Sequence, residues 1–303
     1  MPNYKQPNHQ RSVGSDSGGT SDSCCPPPGR LNAGDRIVRS EEWIEHFRSN
    51  QWDPDNVVDH KHVELSRRSR RAIAKSLQTF QLGESGEGKH FLNVARKWAA
   101  ETGDHEYVKA LELFIAAEQR HAAALGAFMD RARIPRIQKE VTDNLFRWLR
   151  HQAGLELTVT VLITAEIIAR VYYPALRRAT SSHWLRKICE QISRDEVAHI
   201  RFQGQRLGMI LRRKNWFSRA CSRVLSQMLF DATCVGIWFA HRRVFKSAKL
   251  SWREYWNKCT AEYMAARRQI GIGLGTARDV APAEPRWVGS FPGVLAAQAH
   301  RWD

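Results

Sequence analysis

Cysteine is scarce in this chain, and its spacing excludes several kinds of site. The six cysteines are scattered, and no two of them form a Cys-x-x-Cys pair. This spacing provides neither a zinc-binding pattern nor a disulfide framework, and it fits a reducing compartment. The first residues also lack the apolar run of a secretory signal. The sequence therefore predicts a cytoplasmic protein without a disulfide scaffold.

Strand-like alternation, nucleotide-binding glycine motifs and long apolar runs are missing as well. There is no Gly-x-Gly-x-x-Gly turn, and the most apolar stretch, residues 224–245, is short and contains Asp231. A membrane-spanning helix needs about 20 predominantly apolar residues. What is present is helical periodicity through the middle of the chain. We therefore expect an all-α protein.

Acidic residues are outnumbered by basic ones. The chain has 47 Lys and Arg against 31 Asp and Glu, which gives a formal net charge of +16. The basic residues occur as scattered pairs, without a helix-turn-helix, zinc-finger or RNA-binding signature. Such an excess indicates solvated helix faces, an acidic partner, an anionic substrate or a membrane surface, while nucleic acid is not an expected partner.

Two Glu-x-x-His tetrads are the most informative feature. They are Glu118-Gln119-Arg120-His121 and Glu196-Val197-Ala198-His199. Residues three apart on a helix project from one face about one turn apart, so each pair can reach a common metal ion. A single tetrad is weak evidence, but two tetrads on separate helices predict a paired site.

Each tetrad also has a lone glutamate upstream at a matching distance from a turn. Glu84 and Glu118 are 34 residues apart with a Gly103-Asp104 helix stop between them, and Glu166 and Glu196 are 30 apart around a polar break at 180–182. Equal distances along antiparallel helices place such residues at the same level. The spacing therefore predicts two helical hairpins, each bringing a lone glutamate beside a tetrad.

All these residues fall on otherwise apolar helical stripes, so we expect them to be buried. Four carboxylates and two imidazoles without a core Lys or Arg create a negative cavity. Burying such charges costs several kcal/mol each unless cations compensate. The cavity therefore predicts about two divalent cations, and its carboxylate-rich donors suit iron or manganese better than zinc.

Two short motifs around these residues resemble the ferritin-like superfamily. Gly83-Glu84-Ser85 is similar to the first ligand motif of rubrerythrins. The last tetrad, preceded by Arg194-Asp195, is similar to that of rubrerythrins and of the di-iron hydroxylases of quinone biosynthesis. The resemblance covers roughly residues 72–210. It implies a four-helix bundle with two iron ions held by Glu84, Glu118, His121, Glu166, Glu196 and His199, of which Glu118 and Glu196 bridge.

Three further residues have open roles at this stage. Glu87 satisfies the level-matching as well as Glu84 does, so it is an alternative or extra ligand. Tyr173 lies two turns after Glu166, as a redox or hydrogen-bonding residue beside the ligands or as a core tyrosine that caps a polar group. Asp195 either orients His121 or His199 through a ring N–H, or faces solvent without a role.

The same patterns suggest how the chain is organised. We expect a disordered arm over residues 1–40, the ferritin-like bundle with a leading helical segment over 41–210, accessory amphipathic helices over 211–270, and an irregular tail over 271–303. Two interpretations of residues 224–245 stay open. The segment packs on the bundle or at a homodimer interface, or it lies on a membrane surface with its basic flanks.

For function, these expectations lead to an O2-activating oxidase or oxygenase with an organic substrate. Because the chain lacks a Cys-x-x-Cys iron domain and a flavin motif, electrons are expected from an external donor such as a reductase or ferredoxin. The alternative is rubrerythrin-like peroxide reduction or iron handling as a ferroxidase. A helical binding protein with a purely structural metal site is the third class.

Overall fold

The computed structural model describes residues 36–53, 65–86, 88–138 and 154–275, and within them the regular structure is entirely helical. The arm up to residue 35, the tail from 276 and Glu87 lie outside the described residues. The helices are α1 (Ser40–Ser49), α2 (Arg67–Glu84), α3 (Lys89–Thr102), α4 (Glu106–Arg131), α5 (Leu155–Ala179), α6 (His183–Arg212), α7 (Trp216–Ser247) and α8 (Trp252–Leu274).

The turns that form the two hairpins have local causes in the sequence. Gly103 adopts a left-handed conformation (φ 79°) and ends α3, and the Asp104 carboxylate then accepts a hydrogen bond from the Tyr107 amide at the start of α4. The polar break at 180–182 separates α5 from α6, and the Ser182 hydroxyl accepts from the Leu185 amide. Both signals follow ordinary capping chemistry.

Four helices close a ring around the core. Helix α2 packs against α4 and α5, while α6 packs against the same two helices from the opposite side. The interior is filled by large apolar side chains that include Leu77, Phe114 and Ile192, all essentially inaccessible to solvent. This ring brings all four stripes that carry the candidate ligands to one interior.

Contrary to the expected hairpin, no single helix leads from Glu84 to the turn at Gly103. Helix α2 ends at Glu84, and α3 begins only at Lys89. Glycine costs about 1 kcal/mol relative to alanine inside a helix, and this stretch contains Gly83, Gly86 and Gly88. Gly88 adopts φ 65° at the start of α3. The break leaves Glu84 at the C-terminal end of its helix.

Helices α1, α7 and α8 cover the ring. Helix α1 lies on α4, α7 lies on α2 and α5, and α8 lies on α6 and α5. Before α1, Val38 is buried and its amide donates a hydrogen bond to Gln205 Oε1 at 2.9 Å. Within the described residues, no helix has the length and apolarity to cross a bilayer.

Helices α6 and α8 cross closely near their C-terminal ends. Helix α6 runs on to Arg212, and α8 continues to Leu274 instead of ending at residue 270. A Cβ at Gly208 would lie 2.2 Å from the Ile270 carbonyl oxygen, and one at Gly273 would lie 2.1 Å from the Gln205 carbonyl oxygen. Glycines allow the backbones to meet, so these residues belong to the packed helix.

Candidate metal centre

The two tetrads meet in the middle of the ring. Glu118 and His121 project from α4, and Glu196 and His199 project from α6. One potential ligand atom from each of these four side chains lies within 4.8 Å of all the others. Both histidines and Glu196 are essentially inaccessible to solvent. This buried group of two carboxylates and two imidazoles can bind a metal ion.

The two lone glutamates join this group from the other two helices. Glu84 Oε2, at the end of α2, lies 3.9 Å from His121 Nδ1. Glu166 Oε2, on α5, lies 4.0 Å from His199 Nδ1. The structure thus brings all six predicted residues together, each lone glutamate beside a different histidine.

The tetrad glutamates lie between the two histidines. Glu196 faces His121 Nδ1 with Oε1 at 3.8 Å and His199 Nδ1 with Oε2 at 3.3 Å. Glu118 Oε1 lies 3.6 Å from His121 Nδ1 and 2.8 Å from His199 Nδ1. The donors therefore form two halves, one at each histidine, with two carboxylates shared between them.

Unsatisfied polar atoms point to what this arrangement fits. Glu118 Oε1, both carboxylate oxygens of Glu196, and Nδ1 of His121 and His199 are buried and make no hydrogen bond of acceptable geometry. A buried polar atom without a partner costs about 1–3 kcal/mol. These atoms are the ones that face each other across the site, so cations between them would satisfy the whole set.

Burial changes how strongly these carboxylates hold protons. Burial raises the pKa of Glu84 to about 7, and the charge of Glu118 adds to this effect. Burial also raises the pKa of Glu166 and of Glu196 well above the usual range. At Glu118 burial acts in the same direction, but the lowering effects of His199, His121 and Glu84 together outweigh it and bring the pKa to about 2. Bound cations must displace such protons.

Asp195 holds one of the two imidazoles. Its Oδ2 atom accepts a hydrogen bond from His121 Nε2 at 2.9 Å and another from Trp52 Nε1 at 2.9 Å. Gln191 Nε2 donates to the other oxygen at 3.0 Å. Since Nε2 is engaged in this way, Nδ1 of His121 is directed into the site with its lone pair available. Asp195 thus contacts His121 and not solvent alone.

Tyr173 holds one of the lone glutamates. Its hydroxyl donates to Glu84 Oε1 at 2.5 Å, and the ring is completely buried. Burial, followed by the negative charge of Glu84, raises the pKa of Tyr173 well above its ordinary value. The phenol therefore remains a proton donor to the carboxylate. This contact anchors Glu84 at the point where α2 ends.

Two cavities reach the site, and both reach it on the carboxylate side. The larger, of about 410 Å³, extends from the loop at Gly83–Gly88 to Glu84 and Glu118 along Phe114 and Leu162. The smaller, of about 130 Å³, touches the same two carboxylates and Glu166, and Ile237 of α7 lines its outer wall. Neither histidine lines these cavities. Small molecules would therefore approach the carboxylates through largely apolar walls.

Aromatic side chains lie against the two histidines. Phe114 meets the His199 ring edge-on with centroids 4.8 Å apart, and Phe47 of α1 lies 6.0 Å from it. Trp52 stacks over His121 at 6.2 Å. No local motif marks Trp52, because it follows α1 and reaches Asp195 only through the tertiary fold.

Comparison with known proteins adds no relative. None of the family models, curated proteins or solved structures compared with this chain matches it. The chemical interpretation of the centre therefore depends on its own residues and their geometry.

Proposed function

We propose that this chain is a ferritin-like di-metal protein that binds two iron ions, or manganese in their place, and activates O2 as an oxidase or oxygenase. The observation that carries the proposal is the division of six buried donors into two halves with two shared carboxylates. The closed ring of α2, α4, α5 and α6 agrees with the bundle in which such centres are built.

The proposed roles follow from the positions of the donors. Glu84 and His121 would hold one ion, and Glu166 and His199 the other. Glu118 and Glu196, which lie between the histidines, would bridge. A structural site needs no such duplication, since one ion with four donors is sufficient to crosslink helices.

The surrounding residues support a reaction and not only binding. When bound, a pair of redox-active ions would supply electrons for the reduction of O2. Asp195 fixes the orientation of His121, and the Tyr173 hydroxyl fixes Glu84 by donating a hydrogen bond to its Oε1 atom. Because both of these cavities reach the site at Glu84 and Glu118, molecules that enter through them would meet these two carboxylates first.

The cavity walls favour an organic substrate over iron handling. The larger cavity is lined by Phe91, Phe114, Ile115 and Leu162 beside the two carboxylates. Its volume of about 410 Å³ falls in the usual range for small-molecule sites, and hydrated iron gains little from such walls. Because the chain has neither a Cys-x-x-Cys pair nor a flavin motif, electrons would come from a separate reductase or ferredoxin.

The experiment combines metal analysis with gas consumption. Full-length protein is reconstituted anaerobically with ferrous iron, desalted, assayed for iron and then mixed with O2. We expect about two iron ions per chain and rapid O2 uptake. Glu118→Gln should abolish both, whereas Glu112→Gln, an exposed glutamate on the same helix, should change neither.

Other outcomes would select another class. Rapid reaction with hydrogen peroxide and none with O2 would place the protein with peroxide-reducing proteins. Steady deposition of ferric iron beyond two ions per chain would indicate a ferroxidase. Exclusive retention of one redox-inert ion would refute the proposal and indicate a structural site.

A further inference from the structure

Helix α7 carries most of the exposed apolar surface in the described part of the chain. The described residues include ten exposed large hydrophobic side chains. Three of them lie on other helices: Leu157 on α5, Val197 on α6 and Trp252 at the start of α8. The remaining seven are all on α7, namely Trp216, Phe217, Val224, Leu225, Met228, Val235 and Phe239. Scattered apolar residues are ordinary at a surface, but such a concentration on one helix marks an interaction site.

These side chains form one continuous stripe. Phe217, Val224, Met228, Val235 and Phe239 follow each other at intervals of seven and four residues, which keeps them on one face of a helix. At 1.5 Å per residue the stripe extends over roughly 33 Å. A stripe of this length can contact an extended surface and not only one side chain of a partner.

The opposite face of α7 is already occupied. Phe230, Cys234, Ile237, Val244 and Phe245 are buried against the rest of the protein. Helix α7 is therefore apolar on two faces, and only the inward one is explained by folding. Exposing the outward face to water has no benefit for the folded chain, so its apolar character indicates a partner.

The charge on α7 is almost entirely of one sign. The helix contains five cationic side chains and one acidic residue, Asp231. The cationic residues are Arg219, Arg223, Arg242, Arg243 and Lys246. Arg242 and Lys246 continue the line of the stripe towards its C-terminal end. Apolar and cationic groups together match a surface that offers hydrocarbon below and negative charge above.

We propose that the outward face of α7 docks on an anionic lipid bilayer, with the helix lying in the plane of the interface. No described helix can span a membrane, so the contact is peripheral. Trp216 and Trp252, both exposed near the two ends of α7, supply the aromatic side chains that favour the interfacial region.

A second copy of the chain is a poorer occupant for this face. A twofold contact between two α7 helices would bring the basic ends of one copy towards basic ends of the other, with one Asp231 on each side to offset them. Anionic lipid supplies the opposite charge along the whole stripe. The proposal is independent of the metal chemistry, since no residue of the stripe is a candidate ligand.

The test measures binding of the full-length protein to vesicles by co-sedimentation. We expect binding to vesicles of phosphatidylcholine with phosphatidylglycerol, weakened by added salt, and little binding to phosphatidylcholine alone. Val224→Ser/Met228→Ser/Phe239→Ser should lower the partition coefficient by at least about tenfold. Leu157→Ser, which removes an exposed apolar side chain on α5, should leave it unchanged.

A second pair of variants tests the charge. Arg242→Glu/Arg243→Glu should reduce binding to the anionic vesicles by at least about tenfold. The matched control is Arg96→Glu/Lys97→Glu, an exposed basic pair on α3, whose helix packs against α4 and α5. Equal losses in both variants would reduce the effect to net charge and overturn the assignment to α7.

Two further outcomes would overturn the proposal in favour of another occupant. One is absence of vesicle binding together with a dimer in analytical ultracentrifugation that the triple serine variant dissociates. The other concerns Cys221, an exposed cysteine on α7. If it fails to react with a maleimide in a native Cys24→Ser/Cys25→Ser background, protein and not lipid covers this face.

Discussion

Replacing Asp195 with asparagine should weaken metal binding while leaving the helices intact. Asp195 Oδ2 accepts from His121 Nε2 and from Trp52 Nε1, each at 2.9 Å. Burial acts to raise the pKa of Asp195, but the hydrogen bonds from His121 and Trp52 and the charges of the two histidines together outweigh it, and the pKa lies below its ordinary value. The group is therefore an anion at neutral pH, and asparagine removes its charge while preserving its shape.

The expected loss follows from the position of this carboxylate behind a ligand. Carboxylates that hydrogen-bond a metal-bound histidine usually contribute 10–100-fold to affinity, or about 1.4–2.7 kcal/mol. We expect a loss in this range for Asp195→Asn. Trp52→Phe removes one donor to the same oxygen and keeps the charge and most of the ring over His121, so its effect should be smaller.

Anaerobic competition with a chelator for ferrous iron would measure both variants, and circular dichroism would verify that they are folded. Asp130→Asn, which changes an exposed aspartate at the end of α4, is the control for removal of one negative charge. Unchanged iron affinity in the Asp195→Asn protein, with its fold preserved, would refute the role assigned to this carboxylate.

Three other changes have definite expected results. Glu196→Gln should stabilise the metal-free protein by on the order of 1 kcal/mol in the free energy of unfolding, which would be seen as a higher melting temperature. The same change should abolish the stabilisation of the protein by added Mn²⁺. Burial raises the pKa of Glu196 well above its usual range, so the native glutamate destabilises the fold once the pH exceeds the pKa of a glutamate in the unfolded chain. The stability gained by the glutamine variant should therefore grow as the pH rises above that pKa. A lower melting temperature in the variant would contradict this prediction. Iron affinity should increase from pH 6 to pH 8, because the pKa of Glu84 is about 7 and its proton competes with the metal. Calorimetry in buffers of different ionisation enthalpy would detect the protons released on binding. An iron affinity that does not change with pH would exclude this competition. Gly208→Ala should destabilise the protein by about 1–3 kcal/mol, since its Cβ would lie 2.2 Å from the Ile270 carbonyl oxygen. The control is Gly236→Ala on α7, where an added Cβ would have no neighbouring atom within 4 Å. This change should stabilise the protein by up to ~1 kcal/mol. If denaturant unfolding gave equal changes in stability for the two variants, the close crossing of α6 and α8 would be disproved.

The sequence alone was sufficient to predict which six side chains of the candidate centre lie near one another. Residues three apart must share a helix face, so each tetrad was predictable without knowledge of the fold. The turns at Gly103 and at residues 180–182 set the lengths of the hairpins, which placed Glu84 and Glu166 at the level of the tetrads. These inferences depend on helix geometry and on helix capping, and both are determined by residues that are close in sequence.

Local patterns were insufficient where a helix stops without a change in periodicity. The apolar stripe continues from α2 into α3, so the break after Glu84 was not predicted, although three glycines occur there. Glu87 illustrates the same limit from the other side. It satisfies the spacing as well as Glu84, and the structure does not describe it.

Only the tertiary structure decided which surfaces meet. Trp52 reaches Asp195 across 143 residues of sequence, and the glycine crossing of α6 and α8 joins Gly208 to Ile270; neither pair has a local signature. Helix α7 has apolar residues on two faces, and its sequence does not indicate which face folding buries. Periodicity records that a face avoids water, whereas the identity of its partner depends on how the helices are arranged in space.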